Sequence, residues 1–142
     1  MPSFLHTITV PKPPAEVFPY LLETDKVPQW TSDLSSYEPA GPLADGTEIR
    51  QVISVGGSHI TLNMTLERYE PPTGAVVAFS TNGVDIVNTY AVQANGSGSR
   101  VTQGLDAKAS SFTARMLIPV VQGRLEKKVT DDLARLRTLL GG

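Results

Sequence analysis

Few groups in this chain could move a proton inside a folded domain: His59, Asp85, Tyr90, Arg50 and Arg115. His6 and His59 form neither a His-x-His pair nor an HExxH segment, so the spacing that holds a metal is missing and no metal is expected. There is no cysteine, which removes disulfides, thiolate zinc sites and a thiol nucleophile. No Gly-x-Ser-x-Gly elbow occurs, and residues 95–99 (NGSGS) read as an exposed turn. Neither a GxxxxGK[ST] loop nor a strand-linked GxGxxG is present, so no nucleotide cofactor is expected. What remains is acid–base chemistry. Such chemistry needs a proton donor or acceptor placed against the ligand, with a pKa tuned by burial. The candidates for that role are Tyr90, His59 and Asp85, while Arg50 and Arg115 read as surface charges.

The elements that must position these groups are legible. Residues 4–10 (FLHTITV) alternate in the manner of a strand. Pro11, Pro13 and Pro14 end it, and proline suits a first helical turn because its missing N–H would be unpaired there. Ala15, Val17, Phe18, Leu21 and Leu22 recur at helical spacing and predict a short helix of about two turns. A second short helical piece is expected over 25–30, with Thr24 or Asp25 as its cap. From 34 to 108 the period becomes two, predicting strands at 34–39, 47–55, 58–70, 75–81, 85–94 and 99–108. The breaks include Gly56-Gly57, Asn82-Gly83 and Asn95-Gly96, residues that accept the positive φ of tight hairpin turns.

Parity sorts the candidates. Ile60, Leu62, Met64 and Leu66 face one side of their strand while Thr61, Asn63 and Thr65 face the other, so one face is buried and one wet. If the apolar set points inward, His59 and Asn63 point out; if Tyr90 and Val92 point inward, Asp85 points out. Tyr90 is then the best internal polar group, beside Gln51, which shares a face with Ile49 and Ile53. Trp30 either plugs the core between helix and sheet or forms a pocket wall.

The last element is a long amphipathic helix. Val121, Leu125, Val129, Leu133, Leu136 and Leu140 step by three and four, and Arg124, Lys127, Lys128, Asp131, Asp132 and Arg135 fall on other faces, expected to be solvated. Pro119 either opens this helix or kinks a longer one that starts near Phe112. The 142 residues fit one domain, 1–142, and the net charge of -2 shows no basic excess, so no nucleic-acid partner is expected. The longest apolar stretch, 116–121, is far short of the roughly 20 residues of a spanning helix, and the first ten residues do not form a secretory signal. A cytoplasmic monomer or homodimer with no integral membrane association is expected.

Sequential hairpins make an antiparallel sheet that must cover its apolar face. Seven strands at ~4.8 Å would span roughly 34 Å if flat, against ~10–12 Å for a helix. The sheet must therefore curl around the final helix. With only four Phe, four Tyr and one Trp to fill the interior, space for an apolar ligand is the natural inference.

Five stretches carry a resemblance: 10–30 (VPKPPAEVFPYLLETDKVPQW), 41–50 (GPLADGTEIR), 66–72 (LERYEPP), 98–102 (GSRVT) and 133–140 (LARLRTLL). In order and spacing the chain resembles the START-like, or SRPBCC (polyketide cyclase/dehydrase), superfamily, where a strand runs into a P-x-x-x-V-[FW] helix and a tryptophan follows. The resemblance implies an α+β helix-grip fold, a seven-stranded curved antiparallel sheet wrapped around a long C-terminal helix with two short helices after strand 1. It also implies a deep hydrophobic cavity. Relatives include lipid and sterol carriers, polyketide aromatases and cyclases, quinone-binding proteins, hormone receptors and stress-related proteins, so the fold alone selects no activity. The expected lining comprises Trp30, Gln51 and Ile53; Ile60, Leu62 and Met64 on one strand; Phe79 and Tyr90 on the next two; and Met116, Leu117, Val120 and Val121 on the last helix. The expected ligand is a small hydrophobic molecule (lipid, quinone or polyketide-like), bound without a cofactor, and the alternative is a cyclase, aromatase or dehydratase acting through a buried acid or base in the same cavity.

Overall fold

The computed structural model describes residues 3–142. Strand β1 (Ser3–Val10) leads into helix α1 (Pro14–Leu22) and a single 3-10 turn (Val27–Gln29). Then come β2 (Leu34–Pro39), β3 (Glu48–Val55), β4 (Ser58–Glu70), β5 (Gly74–Thr81), β6 (Val84–Asn95) and β7 (Gly98–Ala109), and the chain closes with α2 (Phe112–Leu139). The expected strands all form within a residue or so of their predicted bounds. The helical piece expected over 25–30 shrinks to the 3-10 turn.

The seven strands form one antiparallel sheet in the order β1-β7-β6-β5-β4-β3-β2. The first two strands therefore occupy opposite edges, and α1 with the 3-10 turn crosses between them. Hairpin logic supplies β2 to β7, whereas the return of β1 to the side of β7 is a long-range pairing that no local signal encodes. Asn82 and Gly83 at the β5–β6 turn have φ of 53° and 75°, and Gly56 and Gly57 at the β3–β4 turn have 54° and 85°. Positive φ at both central positions is the geometry of a type I′ hairpin, whose twist matches that of the strands.

Two register shifts bend the sheet, one between Leu34 and Ser36 and one between Leu66 and Arg68. At the second, Glu67 and Arg68 are both exposed, and the half-buried Tyr69 returns to pack its ring 5.7 Å from that of Phe18 on α1. This is the helix-grip fold.

Helix α2 begins at Phe112, the longer of the two alternatives, because Ser111 caps it: its Oγ accepts the Ala114 N–H at 3.1 Å. Pro119 lies inside the helix, where it deprives the Arg115 carbonyl of its i+4 donor. The helix packs on β1, β7 and β6. Leu133 and Leu136 are fully buried there, with Val129 and Leu140 beside them. The helix thus lies toward the β1–β7–β6 edge of the curled sheet rather than directly over β3, β4 and β5. That offset creates the interior space.

Candidate functional site

A cavity of about 100 Å³ lies between the concave sheet and α2. Its walls come from every layer: Leu21 and Leu22 of α1, Val27, Trp30 and Thr31 from the crossing, and Tyr37 of β2. Gln51 and Ile53 of β3, Leu62 and Met64 of β4, and Val77 and Phe79 of β5 follow. Asn88 and Tyr90 of β6, Gln103 and Leu105 of β7, and Leu125, Lys128, Val129 and Asp132 of α2 complete it. Strand alternation explains the sheet's share, since each set of wall residues occupies every second position of its strand.

Two aromatic walls are fixed by a helix end. The last carbonyls of a helix have no intrahelical donor. In α1 two of these are taken by side chains: Trp30 Nε1 donates to the Tyr20 carbonyl at 2.7 Å, and the Tyr37 hydroxyl donates to the Leu22 carbonyl at 2.6 Å. Trp30 and Tyr37 thus tie α1 across the end of the cavity, and their polar atoms are spent in doing so. Trp30 is both core plug and pocket wall, presenting only its ring to the space.

The polar groups on the sheet side form a cluster on two adjacent strands. Tyr90 and Gln103 are direct partners in the β6–β7 register. Gln103 Nε2 donates to Asn88 Oδ1 at 3.0 Å and reaches the Tyr90 oxygen at 3.4 Å, and Asn88 Nδ2 donates to the same oxygen at 3.1 Å. Tyr90 is 8% exposed and Gln103 6%. Burial, above all, pushes the Tyr90 phenol up to about 12; the Asn88 hydrogen bond opposes this and the charge of Asp132 adds to it. Burial raises the Tyr37 phenol as well, with Tyr90 and Tyr69 adding to the effect. Both phenols are therefore neutral hydrogen-bonding groups at physiological pH.

At the opposite side one charge of α2, Asp132, turns inward with Lys128 beside it, which corrects the expectation of a wholly solvated face. Asp132 is 4% exposed. Its Oδ1 accepts the Ser32 backbone N–H at 3.0 Å and Arg135 Nη1 at 3.2 Å, and its Oδ2 accepts Lys128 Nζ at 2.7 Å. Lys128 also donates to the Ser32 carbonyl at 2.8 Å, and Arg135 to the Trp30 carbonyl at 3.1 Å. A lone buried carboxylate would cost several kcal/mol; two cations and a backbone N–H offset that here. The result is a polar clasp holding the 30–32 segment onto α2 at the cavity's rim.

The structure brings Trp30, Gln51, Ile53, Leu62, Met64, Phe79 and Tyr90 together around the cavity. Ile60 and Val121 pack against the core without lining the space. Met116, Leu117 and Val120 lie outside it altogether: Met116 is 68% exposed, Val120 54% and Leu117 39%. The first turns of α2 bury a different stripe, Ala114, Ile118 and Gln122, so a run of apolar residues there places only some of them inward. His59 is exposed on the convex face with its Nδ1 3.3 Å from Ser35 Oγ, and Asp85 is exposed there too, bonded to Ser80. The three catalytic candidates are thus not assembled, and Tyr90 alone faces the interior. Among the described residues no three His, Asp or Glu side chains gather as metal ligands.

The expected lining left out the apolar wall residues Leu21, Leu22, Val27, Val77, Leu105, Leu125 and Val129, and among the polar ones it missed Thr31, Tyr37, Asn88, Gln103, Lys128 and Asp132. A signal existed for three of these polar residues. Asn88 shares parity with Tyr90, Gln103 sits two residues from both Val101 and Leu105, and Asp132 lies three residues after Val129 and seven after Leu125.

Fold and site together define a helix-grip domain that encloses a small, largely apolar space. The chain belongs to the polyketide cyclase / dehydrase and lipid transport family, which it matches over residues 1–141. A comparison with curated proteins gives no match. Among solved structures it is similar to Ara h 8.0201, with a TM-score of 0.80 and 14% identity over 98% of this chain and 97% of that one. It is similar to TTHA0849 from Thermus thermophilus, with a TM-score of 0.77 and 17% identity over 96% of this chain and 95% of that one. It also resembles the di-domain ARO/CYC StfQ from the steffimycin biosynthetic pathway, with a TM-score of 0.80 and 12% identity over 97% of this chain but 50% of StfQ. At these identities the likeness is one of fold. Among the described residues no helix is long and apolar enough to cross a membrane.

Proposed function

We propose that this chain binds a small hydrophobic molecule in the cavity between the sheet and α2. The observation that carries this reading is the wall itself: apolar side chains from α1, β3, β4, β5, β7 and α2 face one space, and the polar groups on its sheet side, Gln51, Asn88, Tyr90 and Gln103, are uncharged. Apolar area removed from water contributes roughly 25 cal/mol per Å², so such a site gains affinity with few polar contacts. Cavities of about 150 Å³ admit benzene. At about 100 Å³ this one takes a single-ring molecule with small adjustments, and a larger ligand requires the 30–32 segment to part from α2.

The second reading, a cyclase, aromatase or dehydratase, is favoured by one observation, the Tyr90 hydroxyl inside the cavity. A phenol pushed up to about 12 donates a hydrogen bond to a carbonyl but is a poor base at neutral pH. In that reading Tyr90 polarises a keto group, and it stands or falls with Tyr90→Phe: turnover of a poly-keto substrate is lost while binding persists.

The test of the main reading is calorimetry and thermal shift with single-ring hydrocarbons, then native mass spectrometry on protein purified from its own host. Saturable stabilisation that grows with ligand concentration is expected. No stabilisation by any apolar probe, and no co-purifying molecule, overturns it.

A further inference from the structure

The first turns of α2 invert the usual pattern of a helix packed on a sheet. Gln122 is buried at 7%, in one stripe with Ala114 and Ile118, while Phe112 is 75% exposed, Met116 68% and Val120 54%. Single apolar residues on a surface need no explanation, but a contiguous row of them marks a contact. Phe112, Met116 and Val120 stand four residues apart, and the exposed Pro119 and Gly123 fall between them on the same face. No charge interrupts this ridge over about 16 Å, at 1.5 Å per residue. Leu117 widens it on one side.

The charges that border the ridge have one sign. By helical spacing Arg115 falls on one flank and Arg124 on the other, both exposed, and neither belongs to an ion pair among the described residues. From 107 to 125 the chain carries Lys108, Arg115 and Arg124 and no Asp or Glu, although its net charge is -2. An apolar ridge edged by unpaired arginines is complementary to a bilayer surface rich in anionic headgroups. Phosphates take the guanidinium forks, and the apolar side chains enter the boundary between headgroups and acyl chains.

We propose that the first half of α2 docks the protein peripherally on an anionic lipid surface. This goes beyond the ligand-binding reading above and does not depend on it. A second copy of this chain fits the ridge less well. A two-fold contact would set the arginines of one copy against those of the other. The strip, on a helix ~10 Å across, also covers only a few hundred Å², short of the ~800 Å² that each partner of a stable dimer buries. The ridge and the cavity wall share one helix, since Leu125, just past Arg124, lines the cavity.

Flotation with two kinds of vesicle tests this: phosphatidylcholine alone, and phosphatidylcholine mixed with phosphatidylglycerol. The wild-type protein is expected to bind the mixed vesicles at least about tenfold more tightly, and to release them at high salt. Arg115→Gln combined with Arg124→Gln is expected to weaken that binding about 25-fold, roughly fivefold for each charge. Met116→Glu is expected to weaken it at least about tenfold while the protein stays folded, and Phe112→Ser serves the same purpose if the glutamate variant does not fold. Leu5 is 74% exposed but lies on the outer face of β1, so Leu5→Ser should bind as the parent does. Any of four results overturns the proposal: binding to neither vesicle, equal binding to both, an equal loss in Leu5→Ser, or Met116→Glu binding as the parent does. A dimer that Met116→Glu dissociates, in a protein that leaves both vesicles unbound, also overturns it and assigns the ridge to contact between copies.

Discussion

The two halves of α2 treat their side chains in opposite ways. The first half exposes Phe112, Met116, Leu117 and Val120, whereas the second buries a carboxylate, Asp132, beside Leu133 and Leu136. The contrast is sharpest in two adjacent ion pairs of the second half. Lys127–Asp131 and Lys128–Asp132 are both i,i+4 pairs at 2.7 Å. In the first pair the side chains are 78% and 52% exposed; in the second they are 23% and 6%. Spacing, chemistry and distance are the same, yet only the second pair is tied to another part of the chain, through Ser32. What a side chain contributes here is decided by what stands opposite the helix at that turn.

The largest effect that tests this contrast is a cavity in the buried half. Leu133→Ala is expected to cost about 2–5 kcal/mol in urea denaturation, while Met116→Ala stays within about 0.5 kcal/mol of the parent. Comparable losses from both would break the distinction between the halves. Next come the paired charges. Asp132→Ala leaves Lys128 and the Ser32 N–H without their acceptor and is expected to cost about 1–3 kcal/mol. Asp131→Ala should leave the denaturation midpoint where it was, as exposed pairs contribute little.

A pH titration sharpens the same point from the sheet side. The Tyr90 phenol, ordinarily near 10, stands at about 12 in the fold. Because that value is raised, the unfolded chain ionises first. The stabilisation is whole below about pH 10, falls by about 1 kcal/mol by pH 11 for this group, and is lost as pH passes through the folded value. Tyr37 shifts in the same direction. Stability measured from pH 9 to 12 should therefore fall less steeply in Tyr90→Phe than in the parent. Asp132→Asn should lower the Tyr90 titration seen in ultraviolet absorbance, since the Asp132 charge is one cause of the rise. An unmoved titration would mean that the clasp does not act on the cavity floor. The smallest expected change is Met116→Ser, which leaves the melting temperature unaltered and only shortens retention on a hydrophobic-interaction column.

Much of the site was legible before any coordinates. Alternation along β4 placed Leu62 and Met64 inward and His59 outward, and alternation along β6 did the same for Tyr90 and Asp85, because a strand fixes the relative face of every residue it contains. The same rule applied to Val101, Gln103 and Leu105 would have found Gln103. The run from Met116 to Val121 misled for the reverse reason. A helix that is apolar on more than one side does not say which side meets the sheet, and there the sheet takes Ala114 and Ile118.

The amino-acid order by itself determined where strands start and stop, which hairpins turn tightly, and that the C-terminal segment is helical with an apolar stripe. Those properties arise from side-chain period and backbone sterics within a few residues of one another. Only the tertiary structure decided that β1 closes against β7, that α2 lies toward one edge and leaves a space, that Asp132 is buried while Asp131 is not, and that Tyr90 meets Gln103 across two strands. Local periodicity assigns each residue a face of its own element; what covers that face depends on segments tens of residues away, whose arrangement is settled when the whole chain packs.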